Sequence, residues 1–428
     1  MVARTNQYFK TKQLISHHDG GPPQEYLPLH TDSVLSLPPE YQQPPKEQPF
    51  CAERFCLPYL QNLASSATKI NSKQRIDSFC IGGLATFDSK NFGLDCSLRQ
   101  WSAEEAAQGI PRHEQFPIYW YATGPSAIFR DYIRMNAVQE SQRRASAAPR
   151  DFSILIKREK SNYNFWHSLM EIFALYMTLD VLRLTPNPAT KRPFFSTEDF
   201  ANSQVVILDD LLDGMYFDLW TLFANQAPIR LQDVSDATRL NLENIIIPLP
   251  GGANPLWHGD WEPLPCDRSE LLQTFARRVL DFYKVDDDLE QENRPLVLTF
   301  FDRTRKRRLI DQGLYIERLR LRFPTVDIQV VDPAAMTFPE QLKIIRHTPH
   351  STMVEILPRG LTQKGFRNLA KYLGHKYFSS HADEHHIDNA KGDWQSDDVF
   401  IEEDRFMELL AVAVKSMYNR GLRNEDVN

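Results

Sequence analysis

Between Leu296 and Ser380 the chain alternates short apolar runs with helix-length segments, and that alternation leaves it few folds to choose from. Apolar runs stand at residues 296–301, 326–331, 353–357 and 376–379, and the spacing between them predicts helices over 309–323, 339–347 and 365–373. Strands that alternate with helices are joined by right-handed crossovers and pair mostly in parallel. Ligands of such sheets bind beyond the carboxyl ends of the strands. Directly past the first run come Arg303, Arg305, Lys306, Arg307 and Arg308, cations placed where an anionic ligand would sit.

A second block of the same kind begins near Phe152. It reads as a strand at 154–156, an amphipathic helix at 164–183, a strand at 204–208, a helix at 214–225 and a strand at 244–248. A further helix follows Ser269, a good N-cap, with Leu271, Leu272, Phe275, Val279 and Phe282 spaced at three and four. The expected organisation is an arm at 1–49, rich in Pro, Gln and His and without periodicity, then a small β-rich cap region at 50–150. Two Rossmann-like domains follow at 151–290 and 291–380, and then a loop and a helix within 381–428. The polar run 286–293 reads as the solvated linker between them rather than as a metal site.

Composition narrows the function. A hydrophobic share of 42%, a charged share of 25% and a net charge of -7 fit a globular chain without the positive field that non-specific nucleic-acid binding needs. There is no apolar run long enough for a membrane span, no apolar signal core in the first thirty residues and no Asn-X-Ser/Thr sequon. The absence of GxxxxGK and GxGxxG argues against nucleotide kinases and simple dehydrogenases. Cys51, Cys56, Cys80, Cys96 and Cys266 show no zinc-binding spacing. Two disulfides among the first four, or ordinary reduced thiols, are both open. The histidines of 381–386 read as an exposed loop with no regular element to position a metal; no metal site is expected.

Three constellations carry chemistry. Asn164, His167 and Glu171 fall at i, i+3 and i+7 of the predicted helix and share one stripe. An imidazole with a carboxylate one turn away makes a general base or a diphosphate-binding pair, because the acid fixes the tautomer. The other reading is a histidine bonded to a backbone carbonyl at a domain boundary. Arg303 and Arg307 lie one turn apart if a helix starts near Thr304, where two guanidinium groups and free backbone N–H groups would hold a diphosphate. A solvated loop paired with Asp302 and Asp311 is the alternative. The loop around Trp257, His258 and Trp261 offers aromatic faces for an acceptor, or packs beneath the surface.

Taken together these segments resemble the glycosyltransferase 61 family (the DUF563 group), and look closest to fungal relatives of the EGF-domain-specific O-linked N-acetylglucosamine transferase. The resemblance spans residues 162–380. Its motifs are Asn164-Phe-Trp-His167 with an acid four residues on, Asp302-Arg-Thr-Arg-Lys-Arg307 leading to Leu309-Ile-Asp-Gln312, and Glu340-Gln-Leu-Lys-Ile-Ile-Arg-His-Thr348. Met353-Val-Glu-Ile-Leu357 and Gly365-Phe-Arg-Asn-Leu-Ala370 complete the set.

The resemblance implies an α/β GT-B-like fold, two Rossmann-like domains facing a cleft, and inverting transfer of GlcNAc or xylose from a UDP-sugar to a protein or glycan hydroxyl. It implies His167 and Glu171 as catalytic residues, and Arg303, Arg307, Asn164 and Glu355 at the donor. Trp257, His258 and Trp261 would stand on the acceptor side. No metal or tightly bound cofactor is implied, and the helix at 402–419 would cross back onto the N-terminal domain. The setting implied is the secretory lumen, whereas the chain as written, without a leader, suits the cytoplasm. Glu171 stands where the family often has Asp, and Asp311 where it often has Asn. Only Pro349-His-Ser-Thr352 stands where the family has a strand and a glycine-rich loop. A sheet short of that crossover would show a gap or an unpaired edge. The alternative expectation is an inactive relative, or a shortened reading of the gene, that keeps the scaffold or nucleotide binding.

Overall fold

The computed structural model describes residues 59–65, 75–83, 85–88, 90–95, 103, 113–116, 123–136, 150–160, 164–184, 190–234, 240, 242–253, 270–285, 296–303, 308–346, 352–357, 370, 375–383 and 398–418. They fall into two compact units, the first running to Phe282 and the second taking over at Tyr283. No helix among the described residues is long and apolar enough to cross a membrane.

The first unit begins with strands β1 (Tyr59–Ser65) and β2 (Arg75–Gly83), then the short β3 (Thr86–Phe87) and β4 (Phe92–Asp95). Helix α1 (Gly124–Tyr132) leads into β5 (Ile133–Asn136), which pairs in parallel with β4. Next come β6 (Phe152–Ile156), the long helix α2 (Phe165–Leu184), the short α3 (Thr197–Phe200) and β7 (Ser203–Ile207). β8 (Gln226–Arg230), β9 (Asn244–Ile247) and α4 (Glu270–Phe282) complete it. The main sheet runs β1-β2-β9-β6-β7-β8.

β9, β6, β7 and β8 are mutually parallel, and β2 joins β9 antiparallel. The chain leaves β6 for β7 and β8 on one side, then returns to the other side of β6 to form β9. Strand order therefore reverses between β6 and β9, and their carboxyl ends flank a topological switch point. The region expected to be a separate β-rich cap instead contributes β1 and β2 to this sheet. Expected helix 214–225 is replaced by a tighter 3₁₀ run, Phe217–Phe223.

Side chains of β6 are buried at every position, as a parallel strand covered on both faces requires. Helix α2 departs from the amphipathic expectation: residues 170–179 are all buried. Only Glu171, Asp180 and Arg183 carry formal charge in its twenty residues, so a buried helix is what the composition supports. Thr178 bonds back to the Ala174 carbonyl at 2.9 Å and accepts the Leu249 N–H at 3.1 Å, which ties the helix to the segment after β9. Gly124 opens α1 at φ 72°, and a Cβ there would lie 2.6 Å from Pro250 Cβ, so both conformation and space favour glycine.

A buried ion pair braces the amino ends of β6 and β7. Asp199, fully buried, accepts from the Arg150 backbone N–H at 2.9 Å, from its guanidinium, and from the Ser196 N–H at 2.7 Å. It is also the third residue of the capping box that starts α3.

The second unit is built from β10 (Val297–Phe301), α5 (Gln312–Arg322), β11 (Asp327–Val331), α6 (Phe338–Arg346), β12 (Thr352–Leu357), β13 (Lys376–His381) and α7 (Glu403–Tyr418). β10 pairs in parallel with β11, and β12 in parallel with β13. Among the described residues no ladder joins the two ribbons. One apolar cluster unites them: Tyr315, Ile316 and Leu319 of α5 meet Phe406, Met407, Leu410 and Val414 of α7, with Leu298, Phe300, Val354 and Ile356 packed against them. The apolar face of α7, expected to cross to the first domain, is therefore engaged here. Asp383 holds its start, accepting from the Glu402 N–H at 2.7 Å and pairing with Arg405 at 2.7 Å.

Cys80 is buried in β2, and the other four cysteines lie outside the described residues.

Asp199→Ala should lower the stability of the chain by about 3 kcal/mol, because it strands Arg150 and two backbone N–H groups at once. Equilibrium urea unfolding checks this, and a loss below about 1 kcal/mol would show that the brace is idle.

Candidate functional site

Residues just past β6 and β9 face the switch point. Arg158 and Glu159 follow β6 and are both buried, which is unusual for charged side chains outside a paired site. Arg158 is fully compensated. Its guanidinium meets Asp209 at 2.8 Å and Asp213 at 3.1 Å, its N–H donates to Asp209 at 2.7 Å, and its Cζ lies 5.5 Å from the Phe217 ring centre. Arg230 stands 5.4 Å from the same ring and also bonds Asp213. The loop after β7 is thereby clamped by two guanidinium groups.

Glu159 turns toward α2. Its carboxylate bonds His167 Nδ1, with both side chains largely buried, at 7% and 13% exposure. The expected helix stripe thus brings His167 to an acid, but to a different one. Glu171 instead accepts the Glu159 backbone N–H at 2.9 Å, and its second oxygen is buried without a partner. Burial, then the neighbouring Glu159 carboxyl and Asp209, push the Glu171 carboxyl well above the ordinary range. Gly251, just past β9, presses on this acid; a Cβ there would sit 2.7 Å from Glu171 Cγ and 3.1 Å from its backbone nitrogen. Tyr216 also faces this side, with burial raising its phenol and a bond donated by the Ser168 hydroxyl lowering it.

The chemistry follows from the pairing. With Glu159 on Nδ1, the imidazole tautomer is set and Nε2 becomes the basic atom. The neutral acid of Glu171 keeps a second negative charge away from that pair. Glu159 precedes α2, so the helical spacing that relates Asn164, His167 and Glu171 does not reach it. The signal in the sequence is the charged run Lys157-Arg-Glu-Lys160 directly after the mostly apolar strand Phe152-Ser-Ile-Leu-Ile156, at the carboxyl end where ligands bind.

The donor-side expectations divide. Arg303 is exposed, two residues past β10 and next to Asp302, whose N–H donates to the Val331 carbonyl at 2.8 Å. Helix α5 starts at Gln312, and residues 304–307, where a helix start beneath Arg303 and Arg307 was expected, lie outside the described residues. Arg307, Trp257, His258 and Trp261 lie outside the described residues. Arg308 pairs with Asp398 at 2.6 Å, rather than with Asp302 or Asp311, and the pair raises the arginine and lowers the acid. Asn164 accepts the Trp166 N–H at 3.1 Å on its side-chain oxygen, the geometry of an N-cap for α2. Glu355 of β12 accepts the Tyr377 hydroxyl. Both residues thus hold bonds within the chain.

Because its carboxyl is raised, Glu171 stays protonated in the folded chain where the unfolded chain releases the proton. The contribution of this group to stability is then fully present below the ordinary carboxyl pKa, about 4, and is lost as pH climbs until the folded carboxyl ionises. Glu171→Gln keeps the shape and lacks that slope. Its urea midpoint, relative to the parent, should rise steadily from about pH 4 to about pH 7. Parallel curves for the two proteins would show that Glu171 is already ionised when folded.

No protein-family model matches the chain and no curated protein matches it, so the reading of this site rests on its residues and their geometry.

Proposed function

We propose that the chain is an inverting glycosyltransferase that moves GlcNAc or xylose from a UDP-sugar to a protein or glycan hydroxyl. The observation that supports it most is the Glu159–His167 pair at the switch point of a parallel sheet, with the neutral Glu171 behind it. In this reading His167 Nε2 takes the proton of the acceptor hydroxyl. The acceptor oxygen bonds the anomeric carbon as the bond from that carbon to UDP breaks, and UDP leaves with the electron pair. Glu159 is a positioning residue that steadies the imidazolium formed. In the same reading Arg303 is the cation for the diphosphate, through charge-assisted bonds.

A second reading, a relative that keeps the scaffold without turnover, draws on other observations. Arg308 is paired with Asp398, Glu355 with Tyr377, and Asn164 caps α2. Among the described residues no ladder joins the two ribbons of the second unit, which also suits a sheet that lacks the crossover between Thr348 and Met353.

Two measurements separate these. Calorimetry on the folded chain should detect UDP, with Arg303→Ala weakening it by about 1.5–3 kcal/mol; no UDP binding at all would remove the donor assignment. For the base, His167→Asn is better than alanine, since its amide can still donate to Glu159 and spare a stranded buried acid. It should cut turnover of UDP-GlcNAc or UDP-xylose by roughly 100-fold or more with little change in melting temperature. UDP binding without turnover of either sugar by the parent chain would favour the inactive scaffold.

A further inference from the structure

Arg278 of α4 is 1% exposed, and all three nitrogens of its guanidinium are buried without a hydrogen-bond partner. Its Cζ lies 4.5 Å from the centre of the Tyr176 ring on α2. Around that ring Phe173 and Phe275 pack at 5.9 Å and 5.8 Å, so the walls of the site are aromatic. Asp281, one turn along the same helix, is the natural i,i+3 partner for Arg278, yet it is exposed.

A guanidinium cannot shed its proton to escape burial. One aromatic face recovers only part of the cost of taking such a charge out of water. Elsewhere the same unit handles a buried arginine differently: Arg158 has two carboxylates and an aromatic face. Arg278 has the aromatic face alone. What its geometry lacks is a planar or tetrahedral oxyanion against the edge of the fork, the group that arginine binds through two parallel N–H bonds.

We propose that Arg278, stacked on Tyr176, is the anchor of an oxyanion site in the first unit that takes phosphate or carboxylate from solution. The site is separate from the Glu159–His167 pair and involves neither Arg303 nor the sugar donor. An anion held there joins the folded core and stabilises it by mass action.

The test uses the full chain purified in Tris chloride at constant ionic strength, with inorganic phosphate and acetate as probes. Purified protein is first denatured and assayed for released phosphate, then intact protein is melted with each probe. At about 100 times the dissociation constant, the bound probe should raise the melting temperature by roughly 5 °C. Arg278→Met should release no phosphate and show no rise. Arg303→Ala should keep the full response, so loss of the donor assignment and loss of this site are told apart. A phosphate response or released phosphate assigns the ligand to phosphate, and a response to acetate alone assigns it to a carboxylate.

No released phosphate and no response to either probe in the parent chain overturns the proposal, whether or not Arg278→Met folds. In that event, a variant less stable than the parent would mean that a carboxylate of the chain itself fills the place. A response kept in full by Arg278→Met, or by Arg278→Gln if the methionine variant does not fold, overturns it as well.

Discussion

Glu171 keeping its proton is the condition on which the arrangement at the switch point depends. Two carboxyls and an imidazole share a buried corner beyond β6, and α2 cannot retreat, because Gly251 presses on Glu171 and Thr178 ties the helix to Leu249. Both acids are buried, where like charges are weakly screened, so ionising both would be costly. Glu171 resolves this by remaining neutral, while one of its oxygens orders the Glu159 backbone. Glu159 is then free to face His167. The acid that sequence spacing puts beside His167 acts at one remove, as the support of the acid that touches it.

This corner shows where a sequence can be read and where it cannot. His167 and Glu171 share a helical stripe, so their proximity follows from a period of 3.6. Glu159 belongs to the end of a strand, and its meeting with His167 depends on how steeply α2 leaves the sheet, which no local pattern encodes. Helix α2 was legible in extent but not in environment. The stripe of Leu169, Ile172, Phe173, Tyr176 and Leu179 suggested one apolar face, while Met170, Ala174, Leu175 and Met177 bury the opposite side as well. The β-rich character of the early region was plain, yet the pairing of β2 with β9 spans most of the unit and leaves no short-range trace.

In the second unit the helix expected at 365–373 lies outside the described residues save residue 370, while the strands and the helix after β11 followed the apolar runs closely, since each run is flanked by turn residues. The start of α5 did not. The basic run before Leu309 reads as a helix start, but Asp311 sits at φ 60° and the helix opens only after it. Cations in the first turn oppose the helix dipole, and placing the start beyond them removes that conflict. Leu309 instead forms a parallel bridge with Val399, which Arg308 and Asp398 extend into an ion pair. Segment 398–401 thus anchors α7, and α7 packs on β12, β13 and α5.

The two sides of the proposed reaction therefore rest on unequal physical footing. The base side is pre-organised: a histidine held by a buried acid, that acid held by its own backbone bond, and the neighbouring loop clamped by Arg158 and Arg230. Such rigidity lowers the reorganisation needed when the imidazole takes a proton. The donor side offers an exposed Arg303 at the carboxyl end of a two-stranded ribbon, where solvent and salt weaken a lone charge. A diphosphate held there would gain most of its binding from groups that act together with Arg303, since one exposed guanidinium supplies too little by itself. The deciding property is thus cooperation: if the affinity for UDP falls steeply with salt while the loss on Arg303→Ala is small, several cations share the phosphate. If a single substitution removes the affinity, the ribbon end is a pocket built around one residue.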